Sequence, residues 1–188
     1  YANTYVVGEP LSIVKRYYFI GIDREKGIYQ YQDVNGDEII SSPDDAVVIR
    51  NLAPHFYGGL TNNLTFENWQ LDIFFQFVSK TAYNYLRIVS LPGMISNQPV
   101  EVLNRWQPGN VNAKFQRFST GMDNVATIAD SKLYYSDAAI EDTYFVRLKN
   151  IELTYTLPRS WIKKGHCSFF IQGQNLWTLT DYKVPDPE

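Results

Sequence analysis

The sequence predicts an all-β fold: antiparallel strands joined up and down, forming part of a transmembrane β-barrel wall with long loops at one end. Three observations predict it. Aromatic residues are 15% of the 188 residues and Tyr alone contributes 14, and aromatic side chains suit a pleated surface. Several stretches alternate apolar and polar residues with a period of two. The connections between them are short at one end of the strands and long at the other.

In chain order, the first strand candidate is LSIVKRYYFIGI (Leu11–Ile22), which alternates less cleanly than the rest. A long acidic loop, residues 23–53, follows. PHFYGGLTNNLTF (Pro54–Phe66) then places Phe56, Leu60, Leu64 and Phe66 on one parity. Only Glu67 and Asn68 separate it from the next strand, so the two predict a tight hairpin. In NWQLDIFFQFVS (Asn68–Ser79), Trp69, Leu71, Ile73, Phe75 and Phe77 share one face, and Gln70, Asp72 and Gln76 the other, with Phe74 the exception. A second long loop, residues 80–143, leads to YFVRLKNIELTYTL (Tyr144–Leu157), where Ile151, Leu153, Tyr155 and Leu157 oppose Asn150, Glu152, Thr154 and Thr156. After the turn PRSWIKKG, HCSFFIQGQNLWTL (His166–Leu179) sets Cys167, Phe169, Ile171 and Trp177 against Ser168, Gln172 and Gln174.

Composition removes several function classes. A net charge of −3 without a long basic run argues against a nucleic-acid partner. The single Cys167 excludes an internal disulfide and a multi-cysteine metal site. The two histidines, His55 and His166, read as surface or interfacial imidazoles. Acidic pairs such as Asp44–Asp45 and Glu141–Asp142 are adjacent in sequence and have no convergent partner, so no enzyme is expected. No apolar run reaches the roughly 18 residues of a membrane helix, which leaves barrel strands open. The stretch from Trp69 to Phe77, at about 3.3 Å per residue and about 45° of tilt, rises roughly 20 Å, close to the apolar band of about 25 Å in an outer-membrane barrel. Alternation alone fits equally a soluble, secreted β-sandwich that binds carbohydrate and carries a structural calcium. Strand length and loop asymmetry favour the barrel.

Six segments carry a resemblance. VGEPL (Val7–Leu11), DVNGDEIISSPDD (Asp33–Asp45), PHFYGGLTNNLTFENWQLDIFFQF (Pro54–Phe77), VLNRWQPGN (Val102–Asn110), IEDTYFVRLKNIELTYTLP (Ile140–Pro158) and FIQGQNLWTLTDYKVPDPE (Phe170–Glu188) follow one another in this order. Together they resemble the carboxy-terminal part of SusC/RagA-type TonB-linked outer-membrane transporters. The resemblance implies C-terminal strands of a 22-stranded barrel in the bacterial outer membrane. It implies uptake of oligosaccharides or peptides with a SusD-like surface lipoprotein, and energy from TonB through an amino-terminal part that this sequence lacks. It also implies that the plug and most strands are missing, and that the family pattern continues beyond Glu188.

Site expectations follow from the barrel reading. Trp69, Leu71, Ile73, Phe75 and Phe77 should face lipid, and Asp72, Gln76, Glu152, Gln172 and Gln174 the aqueous lumen. Trp69 and Trp177 fit the aromatic girdle that brackets the apolar band. Asp33, Asn35, Asp37, the Ile39 carbonyl, Ser41 and Asp44 occupy positions 1, 3, 5, 7, 9 and 12 of a calcium loop, with Glu38 where that loop needs Gly and the shorter Asp44 at its end. The bland reading is a solvated acidic turn. Arg147 and Lys149 share the parity of Ile151, so they should point outward toward lipopolysaccharide phosphates unless a bulge turns them elsewhere. Tyr83, Tyr85, Trp106, Tyr134 and Tyr135 lie in the second long loop as candidates for substrate or lipoprotein contact, or as residues that pin the loop.

Overall fold

A computed structural model describes residues 1, 3–162 and 164–183. The tail of the last resembling segment, residues 184–188, lies outside the described residues. In chain order the elements are β1 (Ile13–Arg16), β2 (Phe19–Ile22), β3 (Tyr29–Tyr31), β4 (Val48–Asn51), β5 (Pro54–Phe66), β6 (Trp69–Tyr83), α1 (Asn124–Leu133), β7 (Ile140–Thr156) and β8 (Ser168–Thr180). The chain divides into two compact units, one of residues 1–53 and 81–141, the other of residues 54–80 and 142–188.

The second unit is built on one four-stranded antiparallel sheet in the order β5-β6-β7-β8. Its register follows from the two-residue turn, which pairs Phe66 with Trp69, Leu64 with Leu71, Leu60 with Phe75 and Gly58 with Phe77. Directly opposed residues share a face, so the apolar parities of β5 and β6 coincide. Across to β7, the Thr156 amide donates to the Asn68 carbonyl (2.9 Å) and the Trp69 and Tyr155 rings lie 4.6 Å apart. On β8, Phe169 pairs with Tyr155 and Ile171 with Leu153. The expected meander is present, with strands of 13 to 17 residues.

The Gly58–Gly59 pair accounts for the one exception in the alternation. A Cβ on Gly58 would lie 2.6 Å from the Phe77 ring, and one on Gly59 would lie 2.6 Å from the Phe74 ring. Each glycine therefore provides the flat bed for a phenylalanine of β6, one on each face. Phe74 interrupts the polar face because Gly59 makes room for it.

The first unit corrects one expectation. Leu11–Ile22 is not a fifth wall strand. It breaks into β1, which pairs with β4, and β2, which pairs with β3. The break falls at Tyr17, whose amide donates to the Tyr135 carbonyl and whose carbonyl accepts from the Asp137 amide. The long connections, residues 23–53 and 80–143, carry secondary structure of their own. They hold β3, β4, α1 and three short 3-10 turns. The core of this unit joins Tyr17, Tyr29, Tyr31, Ala46, Ala129 and Leu133. Helix α1 starts where the Asp123 carboxylate accepts from the Val125 and Ala126 amides, and it buries Ala126, Ala129 and Leu133 at helical spacing.

Candidate functional site

The wall presents two chemically opposite faces. Trp69, Leu71, Ile73, Phe75 and Phe77 share the face of Phe66, Leu64, Leu60, Leu153, Tyr155 and Ile171. Phe66, Trp69, Tyr155 and Phe169 form an aromatic row across all four strands at the short-turn end. Sequence reasoning found only Trp69 of that row; the register reveals the other three. Beside it Leu71, Ile151, Leu153, Ile171, Gly173 and Leu176 line a shallow apolar depression.

The opposite face is a hydrogen-bonded ladder. Asp72 accepts from Gln70 Nε2 (2.8 Å) and from Asn63 Nδ2. Gln172 Nε2 donates to Asn150 Oδ1 (2.7 Å), Thr154 to Glu152 (3.1 Å), and the Thr156 and Ser168 hydroxyls meet at 2.9 Å. Gln76 stands opposite Gly59 and Gln174 opposite Asn150 on this same face. The structure thus brings Asp72, Gln76, Glu152, Gln172 and Gln174 together as one polar surface. Asp72, Glu152 and Gln172 are paired within it, whereas the buried Gln76 Oε1 has no hydrogen-bond partner.

Parity fails near the other end. The β7–β8 register slips between Leu148 and Asn150, so that Leu148 pairs with Trp177 while Asn150 pairs with Gln174. Asn175, at φ 52, absorbs the extra residue in the left-handed region that Asn tolerates. Past this bulge Arg147 is 6% exposed, and its Nε donates to Thr178 Oγ1 at 3.0 Å. The Arg147 side chain thus has a partner on β8. Lys149 sits at the bulge itself and is half-buried. The Trp177 ring is half-exposed and stands opposite Leu148, at the end of β8 away from Phe169.

In the acidic turn the side-chain oxygens accept from the turn's own amides. Asp33 accepts from Gly36 (2.7 Å) and Glu38 (2.8 Å), Asn35 from Asp37 (3.1 Å), and Asp37 from Ile39 (2.8 Å). Glu38 adopts φ 65, the conformation for which a calcium loop uses Gly. Among the described residues no three carboxylate, imidazole or thiol side chains group as metal ligands. The residue that closes this segment is Asp45, one beyond the predicted Asp44. It is fully buried and accepts from the Val34 (2.7 Å) and Ser41 (2.8 Å) amides. Those amides, Ser41 first, hold its carboxyl below the usual range.

Three of the five candidate aromatics converge. The Arg87 guanidinium lies 3.4 Å over the Tyr83 ring and 4.2 Å over Tyr134, and donates to the Tyr134 hydroxyl (2.5 Å). Tyr135 packs edge-on to Tyr134 at 4.8 Å, and Arg16 donates to the Tyr83 hydroxyl (2.6 Å). Tyr85 is half-buried, and burial, then Glu101 and Glu141, raise its hydroxyl pKa. Trp106 is a pin: its indole N–H donates to the Arg24 carbonyl (3.1 Å), and its ring fills the place where Gly27 would carry a Cβ.

No family model matches the chain. It is 31% identical over 170 residues to TonB-dependent receptor P3 of Formosa agariphila, covering 88% of this chain and 16% of that receptor. It is 30% identical over 169 residues to TonB-dependent receptor P26 of the same organism, covering 85% and 16%. The chain thus spans only 16% of the length of these curated relatives. Among solved structures, the RagAB peptide transporter superposes with a TM-score of 0.68 at 21% identity, over 91% of this chain and 20% of that one. The RagAB peptide importer in its open-open state gives 0.68 at 19%, over 97% and 21%. With its alternating wall and its order of segments, the chain belongs with the TonB-dependent receptors, proteins of the bacterial outer membrane, and shares its fold with part of the RagAB transporter.

Proposed function

We propose that β5–β8 form a stretch of barrel wall in a TonB-dependent importer, with the Trp69–Phe77 face toward lipid and the Asp72–Glu152–Gln172 face toward the aqueous interior. The receptor takes up oligosaccharides or peptides handed over by a SusD-like surface lipoprotein, and TonB supplies the energy through a part outside this sequence. The chain contributes selective passage and no bond chemistry. The carrying observation is the segregation itself: one face holds an aromatic row and aliphatic rungs, and the other a paired polar ladder. Hydrocarbon on one side and water on the other account for both.

Cysteine scanning in the complete receptor, on a Cys167→Ser background, tests the orientation. Cysteines at positions 71 and 73 should react with a lipid-soluble maleimide and resist a charged one. Those at 72 and 76 should do the reverse, and equal labelling of both sets would overturn the assignment. Uptake of labelled peptide against labelled oligosaccharide, in cells with and without the receptor, decides the cargo class. A calcium ion held by Asp33, Asn35, Asp37, Ile39, Ser41 and Asp44 is a separate proposal. It requires the acidic turn to release amides and gather its oxygens, and predicts a calcium-dependent rise in Tm that Asp37→Asn abolishes.

A further inference from the structure

The two short connections of the wall differ in chemistry. The β5–β6 turn is two residues long and contains Glu67. The β7–β8 connection, residues 157–167, carries Arg159, Lys163, Lys164 and Trp161, and no Asp or Glu, in a chain whose net charge is −3. Its ends are tied, because the Leu157 amide donates to the Cys167 carbonyl (2.9 Å) and the Trp161 amide to the Pro158 carbonyl (2.9 Å). Between these ties Trp161 stands 73% exposed, with Arg159 and Lys164 also exposed. The turn begins just beyond the Tyr155–Phe169 pair, where the aromatic row ends the apolar face.

We propose that this turn is a membrane-surface anchor. Trp161 lies at the head-group level of the leaflet that meets the short-turn end of the wall, and Arg159 and Lys164 bind the phosphates of anionic phospholipids there. The proposal rests on the wall orientation given above. Three arguments select the occupant. An indole with an apolar body and one N–H donor is most stable at the boundary between hydrocarbon and water. Basic side chains near a membrane surface gain from anionic lipid. The patch also continues the apolar face, so a protein seated on the wall meets lipid at this turn first. A solvated turn would gain nothing from a bulky indole held in the open by two backbone ties.

The test uses the complete receptor in nanodiscs of phosphatidylcholine, with or without phosphatidylglycerol. The emission lost in Trp161→Phe isolates this indole from the others. That difference signal should be quenched severalfold more by a nitroxide on the lipid head group than by acrylamide in the water. Phosphatidylglycerol should raise the Tm of the wild type, and the double variant Arg159→Gln/Lys164→Gln should lose most of that rise. Quenching of Trp161 by acrylamide alone, or an undiminished phosphatidylglycerol effect in the double variant, overturns the proposal. An environment-sensitive dye on Ile73→Cys separates the two readings. If that dye reports hydrocarbon while Trp161 reports water, the anchor fails and the wall stands; if the dye reports water, the wall orientation fails.

Discussion

Replacing Asp130 by asparagine should stabilise helix α1 at neutral pH and leave it unchanged in acid. Asp130 lies on α1, with the fully buried Gln116 amide Nε2 3.4 Å from its Oδ1 and the buried Tyr29 and Tyr31 in its field. Burial pushes its carboxyl from 3.8 up to about 6. A raised acid pKa means that the folded state disfavours the charged form. Folding stability is therefore highest below the unfolded pKa, falls as pH rises from about 4 to about 6, and carries the full cost above that. The whole shift is worth about 3 kcal/mol, and solvent screening at this partly exposed group reduces it to roughly 1–2 kcal/mol. The asparagine side chain keeps an oxygen for Gln116 and removes the charge. Hydrogen exchange of the Ala126–Leu133 amides in the complete receptor is the assay. At pH 7.5 the variant's protection should exceed wild type by roughly tenfold, which corresponds to about 1.4 kcal/mol, and at pH 4 the two should coincide. Equal protection at both pH values, or a loss at both, would refute the reasoning.

Three further outcomes follow from the geometry. Gly59→Val drives a branched side chain into the Phe74 ring, 2.6 Å from where its Cβ would stand, and should lower the stability of the folded wall by about 1–3 kcal/mol, measured by its heat-induced shift on a gel. In calcium-free buffer Asp45→Ala strands the Val34 and Ser41 amides and should lower Tm, whereas Asp44→Ala should leave it within error. Glu67 sits at φ 51 in the β5–β6 turn, so Glu67→Gly should raise stability by about 1 kcal/mol in denaturant titration of the refolding receptor.

The wall was legible because a period of two survives nine residues with one exception, and a two-residue turn leaves one register. The slip at Asn175 was not legible, since one extra residue in a strand changes no composition and yet reassigns the partners beyond it, Arg147 and Trp177 included. The first unit was obscured by brevity. Its strands are three or four residues long, too short for alternation to register. Its helix buries two alanines and one leucine, a faint stripe, although Asp123 before Val125 and Ala126 is a readable start signal. In the acidic turn, spacing singled out Asp44. Only the chain path shows that Asp45 reaches back to the amide of Val34.

The glycine pair in β5 ties the two faces of the sheet to one another. Phe77 rests on Gly58 from one side and Phe74 on Gly59 from the other, so neighbouring positions of the same strand are matched to rings on opposite faces. A larger residue at 59 can be accommodated only where position 74 shrinks in step. That rung of the polar face therefore has to be changed two residues at a time.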